Sequence, residues 1–578
     1  MKNQLLILLI LYSSHNALCQ SQIGGRITSA TDNQPLPGVN VIVKGTTIGT
    51  TTDADGRYSI QAREKDALIF SFIGYASREV IVGNITEINI AMTEDIATLD
   101  EVMIVSTGYQ EIPKERATGS FAQVDNELVN RRISTDVLSR LEDVTSGLIF
   151  NRNVEGNTND ISIRGRSTIF GNASPLIVID NFPYDGDINN INPNDVESVT
   201  VLKDAAAASI WGARAGNGVI VITTKKGKRN QAPRISINSN VTIAQKPDVF
   251  YAPRMTTSDF IDVERMLFDK GYYESAEVSD SHEPLTPAVE LLIAHRDGLI
   301  ETVEMEQQLS LLKQNDVRRD YEKYLYQNAV NQQYSIGIQG GSDSHRYNVS
   351  TGFDRNMENL THNDFSRFTL NANNTWSFFS DKLEVGVGLY YAQSKRIRNN
   401  DGLTNLRFNS TSPMYPYARL KDDEGNNATV IKDYRLGFVE QARADGLLNW
   451  KYSPLDEINI RDNTSQVQDY RINTRLQYKF NKSLNAEILY QYWNCTTATR
   501  DNQGLGLYST RDQINKFTQR DGNGNLTHPV PVGGILDTYD QRSSSYNFRG
   551  QLNLSHAWDT HAVSALAGYE VKELNSDA

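Results

Sequence analysis

The stretch that decides the fold is "VESVTVLKDAAAASIWGARAGNGVIVITTKKG", Val196 to Gly227. Its ends are rich in β-branched residues and predict two strands, with Val199 and Val201 in the first and Val219–Thr223 in the second. Between the strands, the alanines of Asp204–Ile210 predict a short helix whose small side chains allow close packing on a sheet. A phosphate loop is excluded, because no Gly-x-x-x-x-Gly-Lys-Ser/Thr is present and the glycines follow the helix. Those glycines permit tight turns in a compact structural core: Gly212, Gly216 and Gly218.

From Arg234 onward, apolar residues recur at every second position, which predicts strands with one apolar and one wet face. Soluble β-sandwiches alternate in the same way. Short turns such as Gly340–Arg346 and Lys479–Ser483 alternate with long polar connections such as Leu420–Val430 and Arg520–Pro531, as in outer-membrane barrels. The alternating positions include Ile235, Ile237, Val241, Ile243, Tyr334, Ile336, Ile338, Val349, Phe353, Val385, Leu389, Leu476, Tyr478, Ile488, Tyr490, Tyr546, Phe548 and Leu552.

Helical stretches at Ala288–Leu299 and Thr302–Leu312 interrupt this pattern within Thr256–Asn328. We interpret them as a helical insertion near the rim of the barrel, with a separate functional module as the alternative. About nine strands are predicted between Arg234 and Ala578, whereas plugged outer-membrane transporters have roughly 22, and an open edge would leave backbone groups unpaired in lipid. The expectation is therefore the N-terminal part of a longer protein, either a truncated gene product or a fragmentary record.

The N-terminus predicts export. Lys2, the apolar run Leu5–Tyr12 and the small-x-small pattern ending at Cys19 form a signal peptide over residues 1–19. A lipoprotein signal at Cys19 is the alternative, but the bulky Leu18 fits it poorly. Removal of the peptide leaves one cysteine, Cys495, so no internal disulfide is expected.

The formal net charge is −13, and the basic residues form no long run. The cluster Lys225–Arg229 lies beside a predicted strand end and is typical of a solvated terminus. Nucleic acid is therefore not expected as a partner.

Residues 20–95 have the pattern of a small antiparallel sandwich. Turn-forming stretches at Asp32–Gly38 and Thr52–Ser59 separate short alternating runs. Asp53–Gly56 has the beginning of a calcium loop, but no carboxylate stands at the twelfth position, so a tight turn is predicted. The predicted strands are Ile23–Thr28, Val39–Val43, Tyr58–Ile60, Ala67–Phe72, Glu79–Val82 and Ile85–Ala91.

A short apolar strand, Val102–Val105, follows within the segment Thr93–Ser120 and has acidic residues before it. An isolated extended segment of this kind is suited to strand addition at the sheet edge of a partner. Spacing alone leaves an ordinary linker strand equally open. If the segment is a handle for a partner, Asp100–Val105 should be extended and poorly packed at rest.

Four motifs decide between these readings: "LDEVMIVSTGYQ" (Leu99–Gln110), "ISIRGRST" (Ile161–Thr168), "PLIVIDNFPYDG" (Pro175–Gly186) and "INPNDVESVTVLKDAAAASIWGARAGNGVIVITTKKG" (Ile191–Gly227). Their sequences and order resemble SusC/RagA-type TonB-linked outer-membrane transporters, and residues 20–95 resemble the carboxypeptidase-regulatory-like domain. Two positions depart from the family pattern: Asn181 stands in place of glycine and Trp211 in place of tyrosine. Asparagine tolerates a left-handed backbone, so the turn at Asn181 can be kept.

The resemblance implies a mainly β protein with an Ig-like or transthyretin-like β-sandwich, an α/β plug domain and the N-terminal part of an antiparallel transmembrane β-barrel. It implies these boundaries: signal peptide 1–19, sandwich 20–95, TonB-box segment and linker 96–114, plug 115–229 and barrel 230–578. The implied TonB box is Leu99, Asp100, Glu101, Val102, Met103, Ile104 and Val105. The implied plug-motif residues are Arg164, Gly165, Asp180, Lys203, Asp204, Gly212, Arg214 and Gly218.

The function that the resemblance implies is TonB-dependent import of oligosaccharide or peptide fragments across the cell outer membrane, with the plug gating the barrel. The implied partners are TonB with ExbB and ExbD, a SusD-like surface lipoprotein, the glycan or peptide substrate and outer-membrane lipid, and no cofactor is expected. The alternatives are a receptor with a ligand-sensing or signalling role and a non-functional truncated fragment. An enzyme is not predicted, because the sequence has no Gly-x-Ser-x-Gly and no zinc pattern, and Cys495 has no histidine near it in the chain.

Overall fold

The structure is a computed structural model that describes residues 21–46, 48–72, 74–93, 104–113, 119–151, 160–166, 168, 173–204, 208–558 and 561–578. The chain divides into two compact units, Met1–Ile104 with Pro113–Arg116 and Val105–Ile112 with Ala117–Ala578. The predicted signal peptide, residues 1–19, lies outside the described residues.

The first unit contains a β-sandwich. Its strands are β1 (Ser21–Ser29), β2 (Asn40–Val43), β3 (Gly49–Thr51), β4 (Arg57–Ala62), β5 (Ala67–Phe72), β6 (Tyr75–Ile81) and β7 (Ile90–Met92). They form two sheets, with the orders β4-β1-β7 and β3-β2-β5-β6. Ile27, Val41 and Phe70 are fully buried between the sheets. The predicted sandwich is confirmed, although the predicted last strand, Ile85–Ala91, shortens to β7.

Asp53–Gly56 forms a tight turn. The Asp53 carboxylate accepts hydrogen bonds from the backbone N–H groups of Asp55 and Arg57, at 3.0 and 2.8 Å. Gly56 has a φ of 73°, which favours glycine. The described residues contain no group of His, Cys, Asp and Glu side chains placed to hold a metal ion.

The first residues of the second unit, Val105–Ile112, include most of β8 (Ile104–Ser106) and β9 (Glu111–Pro113), which pair as a two-stranded sheet. A five-stranded sheet follows, built from β10 (Phe121–Asp125), β13 (Leu176–Ile179), β14 (Phe182–Pro183), β15 (Val196–Leu202) and β16 (Val219–Thr224) in the order β10-β15-β16-β13-β14. Beside it lie a hairpin of β11 (Leu148–Asn151) and β12 (Asp160–Ile163), two α-helices (Asn126–Arg131, Val137–Leu141) and three 3₁₀ turns (Ile188–Asn190, Pro193–Asp195, Ser209–Ala215).

β15 and β16 are covered on both faces, which accounts for their continuous β-branched sequence. Val199 and Ile220 pack on one face with the helices, while Val219 and Val221 pack on the other face with Trp211. Residues 205–207 of the predicted alanine helix, Asp204–Ile210, lie outside the described residues. Ala208 is helical, its N–H donates to the Asp204 carbonyl at 3.0 Å, and the 3₁₀ segment Ser209–Ala215 follows it. Gly212 interrupts that segment with φ 60° and ψ −145°, which no helix can continue through.

The remaining strands form one nine-stranded antiparallel sheet, as the alternation predicted. Its strands, in sheet order, are β17 (Gln231–Ala244), β18 (Ala329–Gly341), β19 (His345–Met357), β20 (Asn363–Phe378), β21 (Leu383–Arg398), β22 (Asp462–Lys479), β23 (Leu484–Gln503), β26 (Ile535–Trp558) and β27 (His561–Asp577). A small hairpin of β24 (Gln519–Arg520) and β25 (Leu526–Thr527) lies between β23 and β26 in the chain.

The polarity of this sheet is the reverse of a soluble protein's. Its apolar face is open, with Ile237 76% and Phe548 44% exposed. Its polar face is buried, with Arg367 and Asn547 each 1% exposed. An apolar outer band and a polar interior are the signature of a transmembrane barrel wall, and they exclude the soluble-sandwich reading of the alternation.

Residues 342–344, 379–382 and 480–483 form short connections at one end of the sheet, and residues 245–328, 399–461 and 504–534 form long ones at the other. In outer-membrane barrels the long connections lie outside the cell. The three long connections of this chain contain the helices Thr257–Asp269, Glu274–Glu277, Pro287–Arg296, Thr302–Lys313, Val317–Asp320, Leu436–Ala444, Pro454–Ile460 and Tyr508–Phe517, and a π-helical turn, Tyr321–Leu325.

Helices from all three long connections share one apolar core, so the predicted insertion is part of a larger outer region. Ile261 and Leu292 from the first connection pack with Leu420 and Trp450 from the second and Tyr508 from the third. None of the helices in the described part of the chain is long and apolar enough to cross a bilayer.

Candidate functional site

The five-stranded sheet and its helices lie against the polar inner face of the nine-stranded sheet, and this interface is the candidate functional site. The chain folds this way locally because inward positions on every wall strand carry polar or charged residues, which need partners once water is excluded. We call residues 119–229 the plug and the nine-stranded sheet the wall.

Three of the predicted plug-motif residues meet around Ser120. The Asp204 carboxylate accepts from the Ser120 N–H at 2.6 Å, and Arg164 donates to the Ser120 hydroxyl at 2.7 Å. The Lys203 backbone N–H donates to the Ser120 carbonyl at 2.8 Å, and its side chain donates to the hydroxyl of Ser146 at 2.7 Å. These residues tie the start of the plug to its central sheet, which is a structural role.

Asp180 and Asn181 form the turn between β13 and β14, with φ values of 48° and 76°. The Asp180 carboxylate accepts from the N–H and the hydroxyl of Thr224, at 3.0 and 2.7 Å. The left-handed backbone expected at Asn181 is therefore present. We refer to residues 179–187 as the outer hairpin.

The three glycines of the predicted plug motif all have positive φ, but only one of them lies so close to other atoms that an added Cβ would collide with them. Gly165, Gly212 and Gly218 have φ values of 103°, 60° and 85°. A Cβ on Gly218 would lie 2.7 Å from the Ile163 side chain and 3.0 Å from the Leu202 carbonyl oxygen, whereas a Cβ on Gly165 or Gly212 would meet no atom within 4 Å.

A buried arginine of the wall holds the plug segment Ile188–Asp195. Arg367 pairs with Asp354 at 2.6 Å, and each side chain is 1% exposed. Arg367 also donates to the plug carbonyl oxygens of Thr135 at 2.7 Å and Ile191 at 3.2 Å, and to that of Asn189. One guanidinium therefore neutralises a buried carboxylate and satisfies three plug carbonyls.

A second buried cluster surrounds Asp469, which is fully buried. The Asp469 carboxylate accepts from the Tyr184 hydroxyl at 2.7 Å, the Trp493 indole N–H at 3.2 Å and the Asn190 amide at 3.4 Å. The guanidinium of Arg471 lies 5.0 Å from the ring centre of Tyr184. Burial raises the pKa of the Tyr184 hydroxyl well above its usual value, so it stays a hydrogen-bond donor.

Polar contacts complete the interface. The Ser350 hydroxyl donates to Asp195, the Asn192 amide donates to Thr369 at 2.9 Å, and Arg140 donates to Gln333 at 2.9 Å. Burial raises the pKa of Asp195 to about 6.

The segment before the plug contacts both the plug and the wall. The Trp211 indole N–H donates to the Thr107 carbonyl at 2.9 Å, and Arg549 of the wall donates to the Gly108 carbonyl at 3.1 Å. Of the predicted TonB box, residues 99–103 lie outside the described residues, and Ile104 and Val105 have the extended backbone of β8. Thr107 and Gly108, which belong to the predicted TonB-box segment and linker 96–114, are thus held by their carbonyls.

A cavity of about 390 Å³ lies where the outer hairpin meets the wall, on the side of the long connections. Asp185, Asp187 and Asn189 line it from the plug. Hydroxyl side chains line it from the wall: Ser394, Ser465, Thr497 and Ser543. Asp185 is held by Arg214 and Lys572, so the predicted plug-motif residue Arg214 stands at the edge of this cavity.

Sequence reasoning missed the wall residues of the interface. Asp354, Arg367, Asp469, Arg471 and Arg549 are charged residues at inward positions of strands, and each is at most 3% exposed. A signal existed: charges on the wet face of alternating strands are costly unless a partner neutralises them. The sequence does not say which plug groups those partners are.

Residues 23–104 match the CarboxypepD_reg-like domain, and residues 113–219 match the TonB-dependent receptor plug domain. The chain is 29% identical over 500 residues to the TonB-dependent receptor SusC of Bacteroides thetaiotaomicron, which covers 82% of this chain and 45% of SusC. It is 25% identical over 594 residues to the TonB-dependent receptor P3 of Formosa agariphila, covering 100% of this chain and 50% of P3. The chain thus spans half or less of these relatives.

Among solved structures, the fold is similar to that of the RagAB peptide importer in its open-open state, with a TM-score of 0.61 and 22% identity. The match covers 82% of this chain and 49% of that one. At this identity the likeness concerns the fold, and it supports the assignment of sandwich, plug and barrel wall.

Proposed function

This chain is a TonB-dependent receptor of the SusC/RagA type, and from that premise we propose that it imports oligosaccharide or peptide fragments across the outer membrane. The single observation that carries the proposal is the plug–wall interface, where charged and hydrogen-bonding side chains of the wall are satisfied by groups of the plug. In this proposal the plug closes the wall at rest and is rearranged to let the substrate pass.

The chemistry of the interface suits a part that must move. In the described residues, the apolar core that contains Val199 and Ile220 belongs to the plug, and Trp493 is its one fully buried wall member. Apart from the contact of Arg471 with the Tyr184 ring, the other contacts described above are hydrogen bonds and ion pairs. Water can replace these at modest net cost, whereas exposing apolar surface costs about 25 cal/mol per Å². The plug can therefore shift without unfolding the wall.

The cavity beside the outer hairpin is the proposed contact site for the substrate. Its lining of hydroxyl, amide and carboxylate groups can hydrogen-bond the hydroxyls of a glycan or the backbone of a peptide. A bound substrate would touch Asp187 and Asn189 directly, next to the wall contacts that hold the plug.

The proposed partners contact different parts of the protein. TonB, with ExbB and ExbD, would bind residues 99–105 by strand addition and pull. A SusD-like lipoprotein would cover the long connections, and lipid would surround the exposed apolar face of the wall.

The test is uptake by cells that depend on this gene. A deletion strain should lose growth on one class of fragment, either glycans or peptides, and the full-length gene should restore it. Uptake should stop when the proton gradient is collapsed with an uncoupler, while binding to the cell surface continues. Uptake that persists without the gradient, or growth that is unchanged by deletion on both classes, would contradict the proposal.

A further inference from the structure

Three consecutive backbone carbonyls before the plug are each held by a side chain from elsewhere in the second unit. The Thr107 carbonyl accepts from Trp211 at 2.9 Å, the Gly108 carbonyl from Arg549 at 3.1 Å and the Tyr109 carbonyl from Gln551 at 3.3 Å. We call Thr107–Tyr109 the latch segment. It follows β8 directly, so it lies immediately C-terminal to the proposed TonB box.

The Tyr109 side chain strengthens this attachment. The Tyr109 ring centre lies 4.4 Å from the ring centre of Trp211. The Arg549 guanidinium lies 3.7 Å from the Tyr109 ring centre, within the range of a cation–π contact. The Tyr109 hydroxyl donates to Glu570 at 2.5 Å. Gly108 is buried with φ 83°, and a Cβ there would lie 2.5 Å from Trp211, so the close approach requires glycine.

Arg549 also reaches the outer hairpin. A second nitrogen of its guanidinium donates to the Asn181 carbonyl at 2.9 Å. Six residues further along, the hairpin ends at Asp187, in the lining of the cavity. Asp185, between them, is held by Arg214 of the Trp211 segment and by Lys572 of the wall. One wall arginine thus binds both the latch segment and the hairpin that borders the cavity.

We propose that Arg549 is a positioning residue that holds the latch segment closed against the plug and releases it when the outer hairpin moves. This inference rests on the proposed function, and it concerns the regulation of the same site. Release leaves Arg549 paired with Glu570 at 3.0 Å, so the wall keeps no unpaired buried charge when the latch segment departs. The attachment can therefore open and close reversibly.

The first test is hydrogen exchange by mass spectrometry on the full-length protein purified in detergent. Arg549→Gln removes the charge and the forked donor. Gly108→Ala displaces the latch segment from Trp211 and leaves the wall residues unchanged. It therefore tests the proposal even if Arg549→Gln fails to fold. Both variants should raise exchange in peptides from residues 104–113 by about tenfold, as expected for the loss of a charge-assisted hydrogen bond. Exchange in β15 and β16 should stay unchanged.

Arg542→Gln is the matched control, because Arg542 is an exposed arginine of the same strand. It should leave the exchange of residues 104–113 at the wild-type rate. Asp185→Ala loosens the outer hairpin at the cavity and should also speed exchange there, severalfold. The proposal is overturned if neither Arg549→Gln nor Gly108→Ala changes this exchange, if the increase spreads through β15 and β16, or if Asp185→Ala has no effect.

The second test is binding of the purified C-terminal periplasmic domain of TonB to the same proteins. If the latch segment limits access to the TonB box, the apparent affinity equals the intrinsic affinity multiplied by the fraction of molecules in which the latch segment is open. Arg549→Gln and Gly108→Ala should then bind this domain about tenfold more tightly than wild type and Arg542→Gln. Equal affinity in all four proteins overturns the proposal. Failure of import in cells would instead refute the proposed function. The hydrogen-exchange and TonB-binding measurements on purified protein could still be interpreted in that case.

Discussion

Arg367 is the wall residue whose loss should loosen the plug most. Arg367→Met keeps most of the side-chain volume but leaves Asp354, at 1% exposure, without its cation, and leaves the carbonyls of Thr135, Asn189 and Ile191 without their donor. Removing one partner of a buried ion pair costs about 3–5 kcal/mol. Since about 1.4 kcal/mol is a factor of ten, local opening of the plug segment should rise by roughly two to four powers of ten.

Native-state hydrogen exchange at increasing urea measures this opening directly. The amides to follow are those of Asn190, Ile191 and Asp195, which are bonded to backbone carbonyls within their own turns. Arg355→Met is the control, because Arg355 is an exposed arginine on β19 and should change stability by less than about 0.5 kcal/mol.

Adding Asp354→Asn to Arg367→Met should recover part of the loss, since it removes the buried unpaired charge. A loss below about 1 kcal/mol in the single variant would show that the plug segment is held by other contacts. No recovery in the double variant would show that the cost comes from the carbonyls and not from the charge.

Gly218→Ala should destabilise the plug by more than the about 1–3 kcal/mol expected for Gly212→Ala, because only at Gly218 does a Cβ also collide with Ile163; equal losses in thermal unfolding would refute this. Val102→Pro in the full-length protein should abolish energised uptake and leave surface binding intact, since proline removes a backbone donor needed for strand addition; continued uptake would make the segment a linker. Burial raises the pKa of Glu264 in the outer helices from 4.5 to about 7, so its contribution to stability is complete below about pH 4.5 and is lost as pH rises through about 7. The melting temperature of the outer region should therefore fall from pH 5 to pH 8, and Glu264→Gln should flatten this slope; an equal slope in both proteins would contradict it.

Much of the fold was predictable because it depends on local patterns. The period of two places Ile237 and Asn238 on opposite faces whatever the rest of the chain does, and it predicted the correct number of strands. It left open which face is turned outward, because soluble β-sandwiches alternate in the same way. The β-branched runs predicted the strands β15 and β16, and the left-handed backbone at Asn181 followed from the tolerance of asparagine. Gly212 ends the helical path after Ile210, where the sequence predicted a turn.

The site was less predictable. The implied motif residues Arg164, Lys203 and Asp204 fasten the plug to itself, while the residues that fasten it to the wall, Arg367 and Asp469, carry no motif. Their importance lies in what they meet, and the Thr135 carbonyl that Arg367 binds is 232 positions away in the chain.

The sequence by itself therefore determined the strands, the alternation of their two faces and the turns, since each depends on residues within a few positions of one another. Only the tertiary structure decided which buried charge binds which group, and that Thr107–Tyr109 is a held segment instead of a free linker. The physical reason is that a strand's faces are fixed by its own pleat, whereas the partner of an inward-facing charge is chosen by how the wall strands close around the plug.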